Sequence, residues 1–380
     1  MQISEFALER IQSLYENTVE INLSDSGVHP YELRALLSPQ EIEEMCAIEL
    51  GYGWTNGGEA LRDAIARLYP GRACGNVIVT NGSAEANFLM VMALLNPGDE
   101  LIVVVPNYLQ ILGWAQAAGV VTKVVPLRQE NAWLPDLAEI ERAITPRTRM
   151  ITLCNPNNPT GALLTREQMQ DVVALARKHG LYLHADEIYK GSELFTSEGP
   201  SFADLYERAL VTNGLSKAMA MPGLRLGWLV GPASEIAKAW HCKDYTSITT
   251  SSMSEFIATR VLEPARRANV LARSKDILRR NLGIIARWIE ADAARLSFIP
   301  PKAGGMAFVS YRMDVPSREL VERLREEKSV FPVPGSAFGL EHYLRIGIGS
   351  SAEHLEEGLR RIRSFFDERA FALRAAQRSH

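Results

Sequence analysis

The chain has 380 residues, 47% of them apolar, and a net charge of −4, enough to bury a substantial core in more than one compact unit. That mildly acidic balance leaves no electrostatic footprint for nucleic acid or an anionic membrane surface, so small molecules and protein partners are the expected ligands. Cys46, Cys74, Cys154 and Cys242 are scattered and form no CxxC or Cys/His cluster, which argues against a disulfide framework and a metal site and fits a reducing cytoplasm.

The opening MQISEFALERIQSLYEN mixes acids and bases at helical spacing and lacks the continuous apolar core of a signal peptide. Later apolar runs such as FLMVMALL and LIVVVP are too short to span a bilayer. From Asn76 to Gly231, β-rich runs alternate with helical stretches, the order of a parallel sheet covered by helices. NVIVTNG precedes the helical SAEANFLMVMALL, which Asn96-Pro97-Gly98 closes; DELIVVVP precedes a helix near Leu109–Ala118. TKVVPL and RMITLCNP lead to TREQMQDVVALARKHG, where a threonine opens the helix and Gly180 ends it. LYLHADE, ALVTNG and RLGWLVG read as further strands.

After about Thr250 an Arg-rich helical stretch runs to about Leu296, and GGMAFVSY, VFPVPG and YLRIGIG then read as strands. The expected organisation is α/β: residues 1–45 joining a smaller α+β domain of residues 266–380, and a large domain of residues 46–265. The ending ERAFALRAAQRSH reads as a basic, frayed tail.

Polar signals gather where strands end: Asn81-Gly82-Ser83, Pro106-Asn107-Tyr108, Asn155 to Gly161, Asp186 to Tyr189, and Gly214 to Lys217. Ligands of open α/β sheets bind beyond the carboxyl ends of the strands, so these signals point to one site. Taken singly each is weak. NGSAEAN is neither a Walker loop nor GxGxxG and is ordinarily a strand-to-helix turn needing Gly82 for its backbone angles. Lys217 and Arg225 interrupt an apolar segment, where buried cations require partners.

In order and separation, NPNNPTG, ADEIY, GLSKAMAMPGLRLGW and YLRIGIG resemble the fold type I pyridoxal-phosphate enzymes, specifically the class I/II aminotransferases, over almost the whole chain. The resemblance implies a large domain with a mostly parallel seven-stranded sheet, pyridoxal 5′-phosphate as cofactor, and an amino acid and a 2-oxo acid as substrates. It implies that Lys217 forms the Schiff base and shuttles the Cα proton, from a desolvated site near other cations. Arg225, Ser216 and the turn Gly82-Ser83-Ala84 would hold the cofactor phosphate. Asp186 would pair with the pyridine nitrogen, Tyr189 and Asn158 with the phenolic oxygen, and Tyr108 would stack on the ring. The Asn158–Pro159 peptide is expected to be cis. Tyr52 resembles a tyrosine reaching the phosphate of a neighbouring subunit, which implies a homodimer with a shared site. Arg345 would take the substrate α-carboxylate. The chain departs from the common pattern at Gly214, where many relatives carry serine or threonine, leaving one phosphate hydrogen bond missing or supplied by water.

Family resemblance leaves the reaction open, because the same cofactor supports transamination and β- or γ-elimination. The segment SDSGVHPYELRALL, Ser24–Leu37, is similar to the N-terminal segment of capreomycidine synthase-like enzymes, which cyclise hydroxylated arginine. Intact ADEIY and NPTG motifs favour the aminotransferase. A cyclase or lyase acting on an arginine-like amino acid is the alternative, and a non-catalytic cofactor-binding protein a third. Gly27, Val28, His29, Tyr31 and Trp54 are the candidates for substrate recognition.

Overall fold

The computed structural model describes the backbone of residues 2–378 and side chains as far as Glu368. Seven strands form the main sheet: Val77–Thr80, Glu100–Val105, Val121–Pro126, Thr148–Cys154, Tyr182–Asp186, Ala209–Gly214 and Gly227–Val230. In space their order is first, seventh, sixth, fifth, fourth, second, third. The seventh pairs antiparallel with both neighbours and the other pairs are parallel. Six strands therefore run the same way, and their carboxyl ends open onto one edge.

Except in the edge strand Val121–Pro126, where Val121 and Val124 are exposed, alternate side chains of the strands enter different cores. Val77, Val79, Ile102, Val104, Ile151 and Leu153 pack on one face, while Ile78, Leu101, Val103, Met150 and Leu210 pack on the other. Burial on both faces explains why these strands read as continuous apolar runs rather than alternating patterns.

The smaller sheet has four antiparallel strands in the order Val333–Pro334, Tyr343–Gly347, Met306–Tyr311, Leu296–Phe298. VFPVPG, expected as one strand, is two. Val330–Phe331 pairs parallel with Ile21–Asn22, whereas Val333–Pro334 pairs with Tyr343–Gly347. Pro332 separates them and has no N–H for a ladder. The Arg-rich stretch is broken into Ser252–Val261 and Pro264–Glu290, the second opening with proline at its first helical position. The expected boundary at 265/266 lies inside that helix. The N-terminal segment divides its contacts: Ile21 and Leu23 join the small-sheet core, while Leu37, Ile42 and Met45 pack with the large-sheet core. The expected frayed tail is instead helical to Arg378, continuing from Ala352, and Ser379 and His380 lie outside the described residues. Among the described residues no helix is long and apolar enough to cross a membrane.

Candidate active site

A cavity of about 560 Å³ lies at the carboxyl ends of the parallel strands. Ser83 and Ala84 reach it from the start of the helix Ser83–Leu94 that follows Val77–Thr80, Tyr108 from the loop after Glu100–Val105, Asn158 from the loop after Thr148–Cys154, Asp186 from the last residue of its strand, and Ser216 and Lys217 from the turn after Ala209–Gly214. Arg345 enters from the small sheet, and Glu9, Gln12 and Glu16 from the first helix, Ala7–Tyr15, and its C-cap.

The Lys217 Nζ lies 3.4 Å from Asp25 Oδ1. Its ion-pair partner is therefore a carboxylate, while the other cations expected near it, Arg225 and Arg345, line the same cavity. Burial pushes the Asp25 carboxyl up, but the Lys217 ammonium and the donated Gly27 N–H more than offset it and hold the carboxyl below its usual range.

Eight residues on, the 3₁₀ turn Pro222–Leu224 ends with Arg225 in the left-handed region, at φ 47°, a conformation uncommon for a residue with a side chain. This corner turns the Arg225 guanidinium back into the cavity that Lys217 lines. Arg225 donates to the Pro222 carbonyl at 3.2 Å and forms no ion pair among the described residues. Gly82 backs onto it at φ 77°: a Cβ there would stand 2.6 Å from Arg225 Nη2. The helix Ser83–Leu94 begins beside this guanidinium without a side-chain N-cap, so its first N–H groups and dipole face the same space. Gly214, the departure from the usual pattern, has a steric cause. A Cβ would come within 2.8 Å of the Leu226 carbonyl and 2.9 Å of Gly227 Cα.

Asp186 is 6% exposed. Burial pushes its carboxyl up to about 6, against the lowering effects of the Ile188 N–H, the Asn87 side chain and the Lys217 charge. Asn87, also buried, has an Oδ1 with no partner among the described residues. A buried carboxylate lacking an ion-pair partner calls for a cationic nitrogen. An unneutralised guanidinium beside an uncapped helix start calls for an anion. These residues fit pyridoxal phosphate, which carries a protonatable ring nitrogen at one end and a phosphate at the other.

Arg345 is 1% exposed, and its Nη1 donates to Asn158 Oδ1 at 3.0 Å and its Nη2 to the Ser24 carbonyl at 2.6 Å. Its buried Nε has no partner among the described residues. Burial lowers its pKa from the ordinary value, while Tyr189, Asp25 and Glu9 act in the other direction. Tyr189 donates to Ser26 Oγ at 2.8 Å, and Tyr108 donates to Glu9 Oε1 at 2.7 Å. The Asn158–Pro159 peptide is cis, as are Val105–Pro106 and Asn155–Pro156.

Several expected residues are not brought into this cavity. Gly27 and Val28 are buried, and with His29 they line a separate cavity of about 180 Å³. The His29 N–H donates to the Gly349 carbonyl and its own carbonyl accepts from Arg273, while the imidazole is exposed. The Gly27 carbonyl lies against Gly305 and Gly349, where added Cβ atoms would stand 2.5 and 1.8 Å from it. The segment serves main-chain packing there, and His29 does not face the main cavity. Tyr31 lies beneath the Arg273 guanidinium, 4.2 Å from its ring centroid. Tyr52 and Trp54 are 88% and 70% exposed and line neither cavity. Sequence reasoning overlooked Glu9, Gln12, Glu16, Asp25, Ser26 and Asn87. Steps of three and four residues set the first three on one helical face, but that is also the spacing of an ordinary solvated face.

Comparison with known proteins places the site in context. The family model described as aminotransferase class I and II matches residues 30–362. Capreomycidine synthase of Streptomyces vinaceus is 34% identical over 90% of this chain and 88% of its own length. An arginine–pyruvate transaminase of Pseudomonas aeruginosa is 32% identical over 91% and 90%. The crystal structure of a PLP-dependent aminotransferase from Streptococcus suis superposes with a TM-score of 0.91 at 30% identity, covering 97% of this chain and 99% of that one.

Proposed function

Since the chain belongs to the aminotransferase class I and II family and is a pyridoxal-phosphate-dependent aminotransferase, we propose that it transfers the α-amino group of an L-amino acid to a 2-oxo acid with Lys217 as the attachment and proton-transfer residue. The observation that supports this most is the convergence of Lys217, Asp186, Arg225 and Arg345 on one cavity. Pyridoxal phosphate, when bound, supplies an aldehyde and an electron-accepting ring. The Lys217 Nζ is the group for taking the proton from substrate Cα and returning it. The Asp186 carboxylate would hold a proton on the ring nitrogen. Arg225, Ser216 and the first N–H groups of the helix beginning at Ser83 would bind the phosphate, and Asn158 and Tyr189 the phenolic oxygen. Tyr108 would cover the ring, and Arg345 would orient the substrate through its α-carboxylate.

The protein is read as a cytoplasmic homodimer. Leu50, Tyr52, Trp54, Tyr245 and Ile248 are exposed apolar side chains. They belong to two segments joined by hydrogen bonds from Trp240 and Lys243 to Thr55. Such a patch suits a second copy and would carry Tyr52 towards that copy's phosphate site.

Elimination with ring closure is a second reading, supported by the similarity to capreomycidine synthase. A spectral titration of the purified holoenzyme separates the two. A suitable amino acid is expected to bleach the visible cofactor absorbance, and only an added 2-oxo acid should restore it. Recovery without a 2-oxo acid, with a cyclic or dehydrated product, would overturn transamination in favour of elimination. In the same assay Arg345→Ala is expected to raise the apparent Kd for the amino acid roughly 100-fold or more, because it removes one half of a buried charged pair. Borohydride-fixable cofactor should be retained. Unchanged affinity would mean that the α-carboxylate docks elsewhere.

A further inference from the structure

The cavity holds more negative charge than the proposed chemistry uses. Lys217, Arg225 and Arg345 line it on the positive side, and Glu9, Glu16, Asp25 and Asp186 on the negative side. On the reading given above, Arg225 is matched by the phosphate, Asp186 by the ring nitrogen and Arg345 by the substrate α-carboxylate. Lys217 becomes bonded to the cofactor, and Asp25 loses the cation that stands 3.4 Å from it. Glu9 is held by the Tyr108 hydroxyl, and neither Glu9 nor Glu16 forms an ion pair among the described residues. Burial raises the Glu16 carboxyl, and repulsion from Glu9 and Asp25 raises it further, so the three groups share one field.

Arg345 supplies an independent indication of the ligand. It is 1% exposed, lines this cavity, and has a buried Nε without a partner among the described residues. Asp25 and Glu9 lie close enough to act on its charge. A ligand bridging the two ends carries an anion at the Arg345 end and a cation at the carboxylate end. We propose that Glu9, Glu16 and Asp25 form the side-chain subsite and that the amino donor is an L-amino acid ending in a guanidinium.

The geometry of the donors favours guanidinium over ammonium. Gln12 stands between the two glutamates and donates to Ser24 through Nε2, leaving its carbonyl oxygen as an acceptor. Several acceptors along one helical face suit a planar group with five donors better than a compact ammonium. A substrate with a second carboxylate would be repelled by the same three residues.

This subsite rests on the assignment of Lys217 and Arg345 above, and calorimetry on borohydride-reduced holoenzyme tests the two separately. Reduction locks the cofactor on Lys217, so binding is read without turnover. L-arginine is expected to bind at least about 30-fold more tightly than L-citrulline, its neutral counterpart of the same length, and L-aspartate to bind more weakly than either. The double variant Glu9→Gln/Glu16→Gln keeps side-chain size and the acceptor for Tyr108. It should reduce the arginine-to-citrulline ratio at least about 10-fold with cofactor fixation intact. Equal binding of arginine and citrulline to the wild type, or an unchanged ratio in the variant, would overturn the subsite and leave the catalytic assignment standing. Failure of borohydride to fix the cofactor at Lys217 would overturn that assignment, and the subsite with it.

Discussion

Lys217→Ala is expected to abolish borohydride-fixable cofactor and to lower the rate of amino-group transfer by at least about 10³-fold, because attachment and proton transfer then lack their nitrogen. The structure makes the outcome specific. Lys217 is the lysine that lines the main cavity among the described residues. Lys243, the other lysine deep in this half of the molecule, is fully buried and donates to the Thr55 and Ile248 carbonyls. Mass spectrometry of the reduced, digested protein reads the result directly. Fixed cofactor on any peptide of the variant would refute the assignment. Loss of fixation with transfer still near the wild-type rate would refute the proton-transfer role alone.

Asp186→Asn is expected to act in opposite directions with and without cofactor. In the cofactor-free protein, burial holds the Asp186 carboxyl at about 6, against about 3.9 in an unfolded chain. Between those values the folded state binds more protons than the unfolded state, so this group makes stability fall as pH rises from about 4 to about 6. Above that window its cost is fully present and amounts to as much as about 3 kcal/mol; below pH 4 it vanishes. Cofactor-free Asp186→Asn should therefore melt at a higher temperature than wild type at pH 8 and at the same temperature near pH 4. With cofactor the order should reverse, since the amide cannot neutralise a ring cation. Activity should fall by two or more orders of magnitude, about 3 kcal/mol in the barrier. Thermal melts over this pH range, with and without pyridoxal phosphate, check both arms. A variant no more stable at pH 8 without cofactor would show that Asp186 carries no uncompensated charge there.

Part of this molecule was legible from the chain alone. Seven strand segments of the large sheet could be read because each is a short β-rich run bounded by turn residues, six of them largely buried and the edge strand Val121–Pro126 partly exposed. The polar residues at their carboxyl ends were legible for the same reason, since parallel topology brings those ends to one edge. Short elements were less so. Leu296–Phe298 has three residues and follows a 27-residue helix without a turn signal to mark it, and VFPVPG was split because its halves find partners in different sheets.

Side-chain direction and long-range company lay beyond local pattern. His29 and Trp54 are near the substrate loop in sequence, yet the Gly27 carbonyl, packed on Gly305 and Gly349, turns His29 away from the main cavity, and Trp54 lies on the surface. Glu9, Gln12 and Glu16 have the spacing of any solvated helical face, and nothing local distinguishes them. They become a wall of the cavity only when the first helix lies across the strand ends and Tyr108 bonds Glu9. Asp25 likewise acquires its partner from a turn far along the chain. The sequence by itself determined the strand segments and the polar residues at their ends, because each depends on neighbours in the chain. Tertiary structure decided which charges share the cavity and which stay uncompensated, because that depends on closure between distant segments.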